Sequence, residues 1–509
     1  MTFGSLAVAQ TVERERITPK PTPQISPTPP RQIPTPTPAS SATPKPAVSP
    51  TANISPTPTP TQRPLQTIFD LQANIRRVLQ NSSLQRGQVG VKIVSLDTGA
   101  IVFAQNDEKY LMPASNMKSF TMAAALDRLT PDFRFVTSVY AANKPDLAGT
   151  IRGDVTIYGR GDPTFAASLN DGDYYKAINA LADKIVAGGV KRIEGNLVGD
   201  ESYFTGDALG TTWEWDDLQW YYGAGVSALT INDNAVDVQV LPGTAAGSPC
   251  IVQVLPFNSL FTITNSCSTT SSDAKRELEV TKRLGTNILE IRGTMPASDV
   301  KGFSGALAVE KPAEMFLYLL KNALAQKGIS VTGQNKVIGT KEKAILSVAS
   351  SLPWIEIARL ESLPLSFIAA KTLKPSQNLY TELVLRALGE QAGDKTNLKL
   401  TSAERGLAVV QKFLAEAGIA PDAIVQFDGS GLSRHNLITP SATVQLYSFM
   451  SKHRFASAFQ AALPIGGVDG TLKSRFQNTP AVNNVHAKTG TIDQVSSLSG
   501  YLTTASGER

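Results

Sequence analysis

The 509-residue chain is poor in the groups from which many active sites are built. It holds two cysteines and three histidines, His435, His453 and His486. None of them stands in an H-x-x-x-H or comparable ligand spacing, so no metal site and no cofactor is expected. No run of ~20 apolar residues occurs, so no spanning helix is expected. No Lys/Arg cluster interleaves with aromatics, which argues against a nucleic-acid partner. The net charge of +5 suits either an anionic surface such as a cell envelope or ordinary solubility. There is no G-x-S-x-G, and no histidine precedes Ser115, so a Ser-His-Asp arrangement fits poorly. No internal repeat of fixed period is visible.

What is present is a globular composition, 42% hydrophobic and 18% charged, over a length that suits more than one domain. Proline is concentrated. Residues 18–64 hold 16 of the 32 prolines and little that could build a core, so they read as a Pro/Thr-rich, PPII-like or disordered linker of unknown partner. Fully extended, it would reach roughly 140 Å. Before it, Ala7-Val8-Ala9 resembles the tail of a secretory cleavage site, although the apolar stretch is short and lacks a basic flank. The expectation is an extracytoplasmic protein, in the envelope or periplasm, with a truncated signal peptide. Cys250 and Cys267 flank two apolar β-rich runs that read as a hairpin. They are either a disulfide formed in an oxidising compartment or two buried thiols.

Helical spacing begins after Leu65 in "TIFDLQANIRRVLQ". "VGVKIVSLDTGAIVFAQN" reads as strand, turn and strand, followed by a helix starting near Ser115. Residues 131–346 look β-rich, interrupted by one helix at about 173–188. From about 347 the pattern is helical again, and it closes on "NNVHAKTGTIDQVSSLSGYLTTASGER", strand-like with a turn. The sequence stops at a turn where an edge strand would be expected next. The layout is α+β. One domain is made of segments 65–130 and 347–509, and a β-rich insertion, 131–346, separates them after the 1–64 leader and linker.

Three short motifs carry chemistry. Ser115 and Lys118 stand at i and i+3 on one face at the head of an apolar helix, where an amine can approach a hydroxyl. The same spacing at Ser272/Lys275 and Ser298/Lys301 lacks a helical apolar run. A lysine base must be neutral, which burial and a second cation favour. Lys488, in "HAKTGTI", is the candidate cation. Ser376, in "KPSQNLYTE", is a candidate hydroxyl relay, with Asn378 supplying an amide two residues on.

The ordered set S-x-x-K (115–118), S-x-N (376–378) and K-T-G (488–490) resembles that of penicillin-binding proteins and serine β-lactamases. The long separation of the first two motifs, with "YGRGDPTF", "WEWDDLQWYYGAGVSALTINDN" and "DGSGLSRHN", resembles the D-alanyl-D-alanine carboxypeptidase/endopeptidase family of low-molecular-mass class C penicillin-binding proteins. That resemblance implies a serine β-lactamase/transpeptidase-like domain whose antiparallel sheet packs with helices. It implies peptidoglycan stem peptides and β-lactam antibiotics as partners. Ser115 would be acylated and Lys118 would take its proton. Ser376 would pass a proton to the leaving amine, and Asn378 would hold the acyl amide. Lys488 would tune the field and bind the substrate carboxylate with Thr489 and Thr491. The backbone N–H groups of Ser115 and Thr491 would form the oxyanion hole.

Gly490 fits a position of close approach to substrate. Asp217 and Tyr222 would help bind the free amine end of the stem's diamino acid, although "WEWDDLQWYY" could equally be a core cluster. Arg434 would border the site, although by itself it reads as a solvated charge. Asp493 stands where a glutamine is usual in the family, which leaves side-chain preference open. No carboxylate falls in a recognisable deacylation motif, so slow peptide turnover is expected over fast antibiotic hydrolysis. The alternatives are a β-lactamase-like hydrolase or an inactive envelope-binding protein of the same fold.

Overall fold

A computed structural model of the chain describes residues 67–342, 354–397 and 399–509. The expected linker and secretion signal lie outside the described residues, as does the return expected at about 347. Within the N-terminal unit, the helix Ile68–Leu79 begins on a reciprocal cap in which Thr67 accepts from the Asp70 amide and Asp70 accepts from the Thr67 amide.

From Ser82 onward the chain forms one compact unit with two principal cores. The first draws its buried residues from between Val139 and Ala358. A five-stranded mixed sheet lies in it, in the order Asn335–Ile338, Leu197–Asp200, Val155–Tyr158, Val136–Ala141, Ile355–Glu361. The last of these strands pairs antiparallel with Val136–Ala141, the first strand after the Ser115 helix, so chain entering and chain leaving this part run side by side. Two helices pack here, Lys176–Ala187 and Pro312–Gln326. The β-rich expectation for 131–346 had room for only the first. The second is a 15-residue helix with nine buried residues, and its apolar positions wrap too far around the helix to stand out as a narrow stripe.

The expected hairpin between the cysteines does not form. Ile251–Leu255 pairs with Ala235–Leu241, whereas Thr262–Thr270 pairs with Ile288–Pro296 in another sheet. Cys250 and Cys267 are joined by a disulfide with Cα atoms 5.4 Å apart, and the Cys250 amide donates to the Cys267 carbonyl. The bridge therefore staples two sheets. Two apolar runs joined by a short link suggest a hairpin, but alternation alone does not name a strand's partner.

The second core is mainly helical. Met117–Leu129 is buried on nearly every side and packs against Asn378–Ala392, Ser402–Glu416 and Leu365–Leu373. Two hairpins, Val91–Val94 with Ile101–Gln105 and His486–Ile492 with Val495–Tyr501, are separate two-stranded antiparallel sheets. The Leu96 amide donates to the Arg509 carbonyl, tying the first hairpin's turn to the chain's last residue.

Candidate active site

Residues Ala114–Asn116 make one 3-10 turn before the long helix, and Ser115 lies half-buried at its centre. Ala114 adopts a φ of 46°, and Ser376 one of 66°. Such left-handed backbone costs a non-glycine residue about 1–3 kcal/mol where it is strained, and such strain clusters at functional sites. Three tethers hold the turn. Leu111 exchanges backbone bonds with Ile438, Ser497 Oγ donates to the Pro113 carbonyl, and the strand His486–Ile492 packs against it. A Cβ at Gly490 would overlap the Pro113 carbonyl oxygen. The glycine is thus required by the protein's own turn, a contact invisible in the sequence.

Lys118 is fully buried, and its Nζ reaches three oxygens: Ser115 Oγ at 2.8 Å, Asn378 Oδ1 at 2.6 Å and the Ser430 carbonyl at 2.6 Å. Asn378 Nδ2 donates to the Tyr222 carbonyl at 2.9 Å, which turns its amide oxygen toward the lysine. Burial lowers the Lys118 pKa from 10.5 to about 7, against the opposing pull of Asp428 and Glu382. Lys488 is also fully buried. Its Nζ donates to Ser376 Oγ at 2.9 Å and to the Thr489 carbonyl at 2.7 Å. Burial first, then the Lys118 charge, hold its pKa well below the ordinary lysine range. Of the two causes expected to lower Lys118, burial acts on it, whereas the pressure between the two amines falls on Lys488.

Sequence reasoning missed the groups behind Lys118. Buried Glu382 accepts the amides of Gly429 and Ser430 at 2.9 and 2.8 Å, aiming the Ser430 carbonyl at the amine. Burial and then Asp428 push its carboxyl pKa up, and Arg386 one turn on opposes them. Buried Asp428 accepts from the amides of Gly431 and Ser433, from Asn436 Nδ2 and from Trp213 Nε1. The sequence signal is slight: Glu382 lies four residues beyond Asn378 on one helix face and "DGSG" is dense in capping residues, but nothing in either stretch says that the two meet.

The remaining candidates are dispersed around this cluster. Thr489 Oγ1 donates to Thr471 Oγ1 at 2.7 Å, and Thr491 is exposed. Tyr222 meets the cluster through its backbone carbonyl, while its ring stacks edge-on against Tyr221. Asp217 is buried and lies with Glu214 and Asp216, carboxylate oxygens within 4.8 Å of one another. The aromatic loop is divided: Trp215 is 74% exposed, whereas Trp220 packs against the first core. Arg434 is not a solvated charge. It pairs with Glu214 at 2.9 Å and donates to the Asp493 carbonyl at 3.1 Å, joining three loops. The histidines serve elsewhere: His453 meets Asp127 at 3.0 Å, His435 stacks on Phe427, and His486 lies in the terminal hairpin. Among the described residues no helix is long and apolar enough to cross a membrane.

Residues 71–509 match the model of the D-Ala-D-Ala carboxypeptidase 3 (S13) family. The chain is 30% identical over 453 residues to a D-alanyl-D-alanine carboxypeptidase of Actinomadura sp. (strain R39), covering 86% of this chain and 79% of that one. It is 27% identical over 430 residues to the D-alanyl-D-alanine carboxypeptidase DacB of Haemophilus influenzae, covering 83% of each. The crystal structure of penicillin binding protein 4 (dacB) from Haemophilus influenzae superposes with a TM-score of 0.68 at 25% identity, over 82% of this chain and 88% of that one.

Proposed function

The chain belongs to the D-Ala-D-Ala carboxypeptidase 3 (S13) family, and from that premise we propose that the Ser115–Lys118–Asn378 cluster is the active site of a serine-type D-Ala-D-Ala carboxypeptidase. The observation that carries this reading is the set of three oxygens around Lys118 Nζ. An ammonium donates to all three. A neutral amine has two N–H bonds and one lone pair. Asn378 Oδ1 and the Ser430 carbonyl can only accept, so they take the two N–H bonds. The lone pair is left for the one partner that can donate, the Ser115 hydroxyl. Fixed acceptors thus orient the base, and a pKa of about 7 leaves much of it neutral at neutral pH.

Ser115 Oγ attacks the carbonyl carbon of the penultimate D-Ala as its proton moves to Lys118 Nζ. The backbone N–H groups of Ser115 and Thr491 receive the developing oxyanion. The leaving D-Ala amine takes a proton through Ser376, whose hydroxyl Lys488 holds at 2.9 Å. Asn378 holds the acyl amide, and water then releases the shortened stem. Lys488, Thr489 and Thr491 hold the substrate carboxylate. Asp217 and Tyr222 receive the free amine of the stem's diamino acid, with Arg434 at the border. β-Lactams acylate Ser115 by the same attack. Cleavage of a D-Ala–diamino acid cross-link uses the same acyl-enzyme, so endopeptidase action is included. We place the protein outside the cytoplasm, a location the disulfide supports. The catalytic domain combines 65–130 with 347–509 around the inserted 131–346, except that the strand Ile355–Glu361 completes the insertion's sheet, and the linker acts as a tether.

The test is digestion of a stem pentapeptide and of purified peptidoglycan, read by mass. The wild type should release D-Ala, and Ser115→Ala should not. Release undiminished in that variant would remove Ser115 from the role, and no release by the wild type would remove the activity.

A further inference from the structure

A cavity of about 310 Å³, lined by none of the residues of the catalytic cluster, lies where chain passes between the two cores. Three of its nine lining residues are arginines, Arg134, Arg160 and Arg359, and none is acidic. They come from separate stretches: the segment after the Ser115 helix, the loop after Val155–Tyr158, and the strand Ile355–Glu361. Two are anchored. Arg134 donates to the Ser362 carbonyl at 2.6 Å. Arg160 uses one nitrogen on the Val136 carbonyl and Ser138 Oγ, and its guanidinium lies 4.6 Å from the Tyr158 ring centroid. A guanidinium carries five N–H donors in a rigid fork, so these anchors leave others for a ligand. Tyr203 adds a hydroxyl that accepts from Gln391 Nε2 at 2.5 Å, leaving its own proton to donate. Arg359 pairs with Glu361 at 2.9 Å, but both side chains are about half exposed. Such a surface pair is worth about 0–1 kcal/mol and can yield to a better-placed anion.

We propose that this cavity is a second binding site, for a small ligand bearing carboxylate or phosphate oxyanions. Three like charges around one concavity repel one another, and an oxyanion relieves that repulsion while accepting forked hydrogen bonds. The volume fits a small organic anion. Both chain crossings between the cores contribute to the wall, at 133–136 and at Arg359, and Ala387 and Gln391 come from the helix that begins with Asn378. A bound anion therefore braces the junction beside the catalytic domain without entering the Ser115 cluster.

Calorimetric titration of the full chain, treated with benzylpenicillin, tests this with two probes: muramyl dipeptide for the carboxylate source and inorganic tripolyphosphate for the phosphate source. One saturable site is expected, with Kd raised at least tenfold in Arg160→Gln and in Arg359→Gln, but not in the exposed charge-matched control Lys412→Gln. Binding of the first probe assigns carboxylates, and binding of the second assigns phosphates. No saturable heat with either probe at millimolar concentration, or equal binding by wild type and both arginine variants, overturns the site. Arg359 is exposed, so its variant carries the test if Arg160→Gln does not fold. Failure of benzylpenicillin to acylate the protein counts against the proposed function alone, because the titration reads the cavity either way.

Discussion

At the scale of single residues, the account turns on a buried amine with two fixed acceptors and one hydroxyl. Lys118→Ala should slow benzylpenicillin acylation by roughly 10²–10⁴-fold, the usual worth of a positioned base. Stopped-flow mixing measures it, and an unchanged rate would return attention to another base. The acid limb of the acylation pH profile should fall near pH 7, because the neutral form of Lys118 reacts and it is lost as pH drops through its pKa of about 7. The charges acting on Lys118 are Asp428 and Glu382, both of which favour its protonated form, with Lys488 close by. Glu382→Gln keeps an amide oxygen for the Gly429 and Ser430 N–H groups but removes negative charge. The limb should then move to lower pH, whereas a purely structural effect would lower the plateau and leave the limb in place. Asp217→Asn should spare penicillin, which lacks the stem's ammonium. Turnover of an amine-bearing stem peptide should fall roughly 10- to 150-fold, as expected for one lost charge-assisted bond. Equal losses on both substrates would mark Asp217 as packing.

At the scale of elements, the terminal hairpin and the Ser115 turn behave as one piece because Gly490 leaves no space between them. Gly490→Ala should destabilise the protein by about 1–3 kcal/mol through overpacking. It should also slow acylation, as the turn is displaced. A variant that melts like the wild type would contradict the contact. The disulfide spans a sequence separation of 17 and closes a loop worth about 3 kcal/mol in the chain-entropy account. A reductant should lower the melting temperature yet leave acylation at 25 °C intact, because the bridge belongs to the other core. Most elements near the site were legible in the sequence, since a helix such as Asn378–Ala392 announces itself by period, Met117–Leu129 by its apolar run, and the closing stretch as strand-like with a turn. Partnership was not legible. Nothing local in "IVQVLP" or "FTITNSC" says that they join different sheets, because register and pairing are decided by distant chain.

At the scale of the whole molecule, three motifs spread over more than 370 positions meet around two buried lysines, and the order of those motifs was enough to find them. What the sequence could not show is the support behind them. Glu382, Asp428 and the Ser430 carbonyl become visible only when the 378–392 helix and the 428–436 loop are packed together, and the Arg434 bridge only when three loops meet. The family match over 71–509 and the superposition on penicillin binding protein 4 bear on the family and the fold that carry this site. The central claim is that Ser115 is the nucleophile this architecture serves. Mass spectrometry of the intact chain after benzylpenicillin treatment, followed by peptide mapping, tests it most directly. The account predicts one added drug mass on the peptide carrying Ser115 and none in Ser115→Ala. An adduct that survives in that variant, or that maps to Ser272 or Ser298, would contradict it.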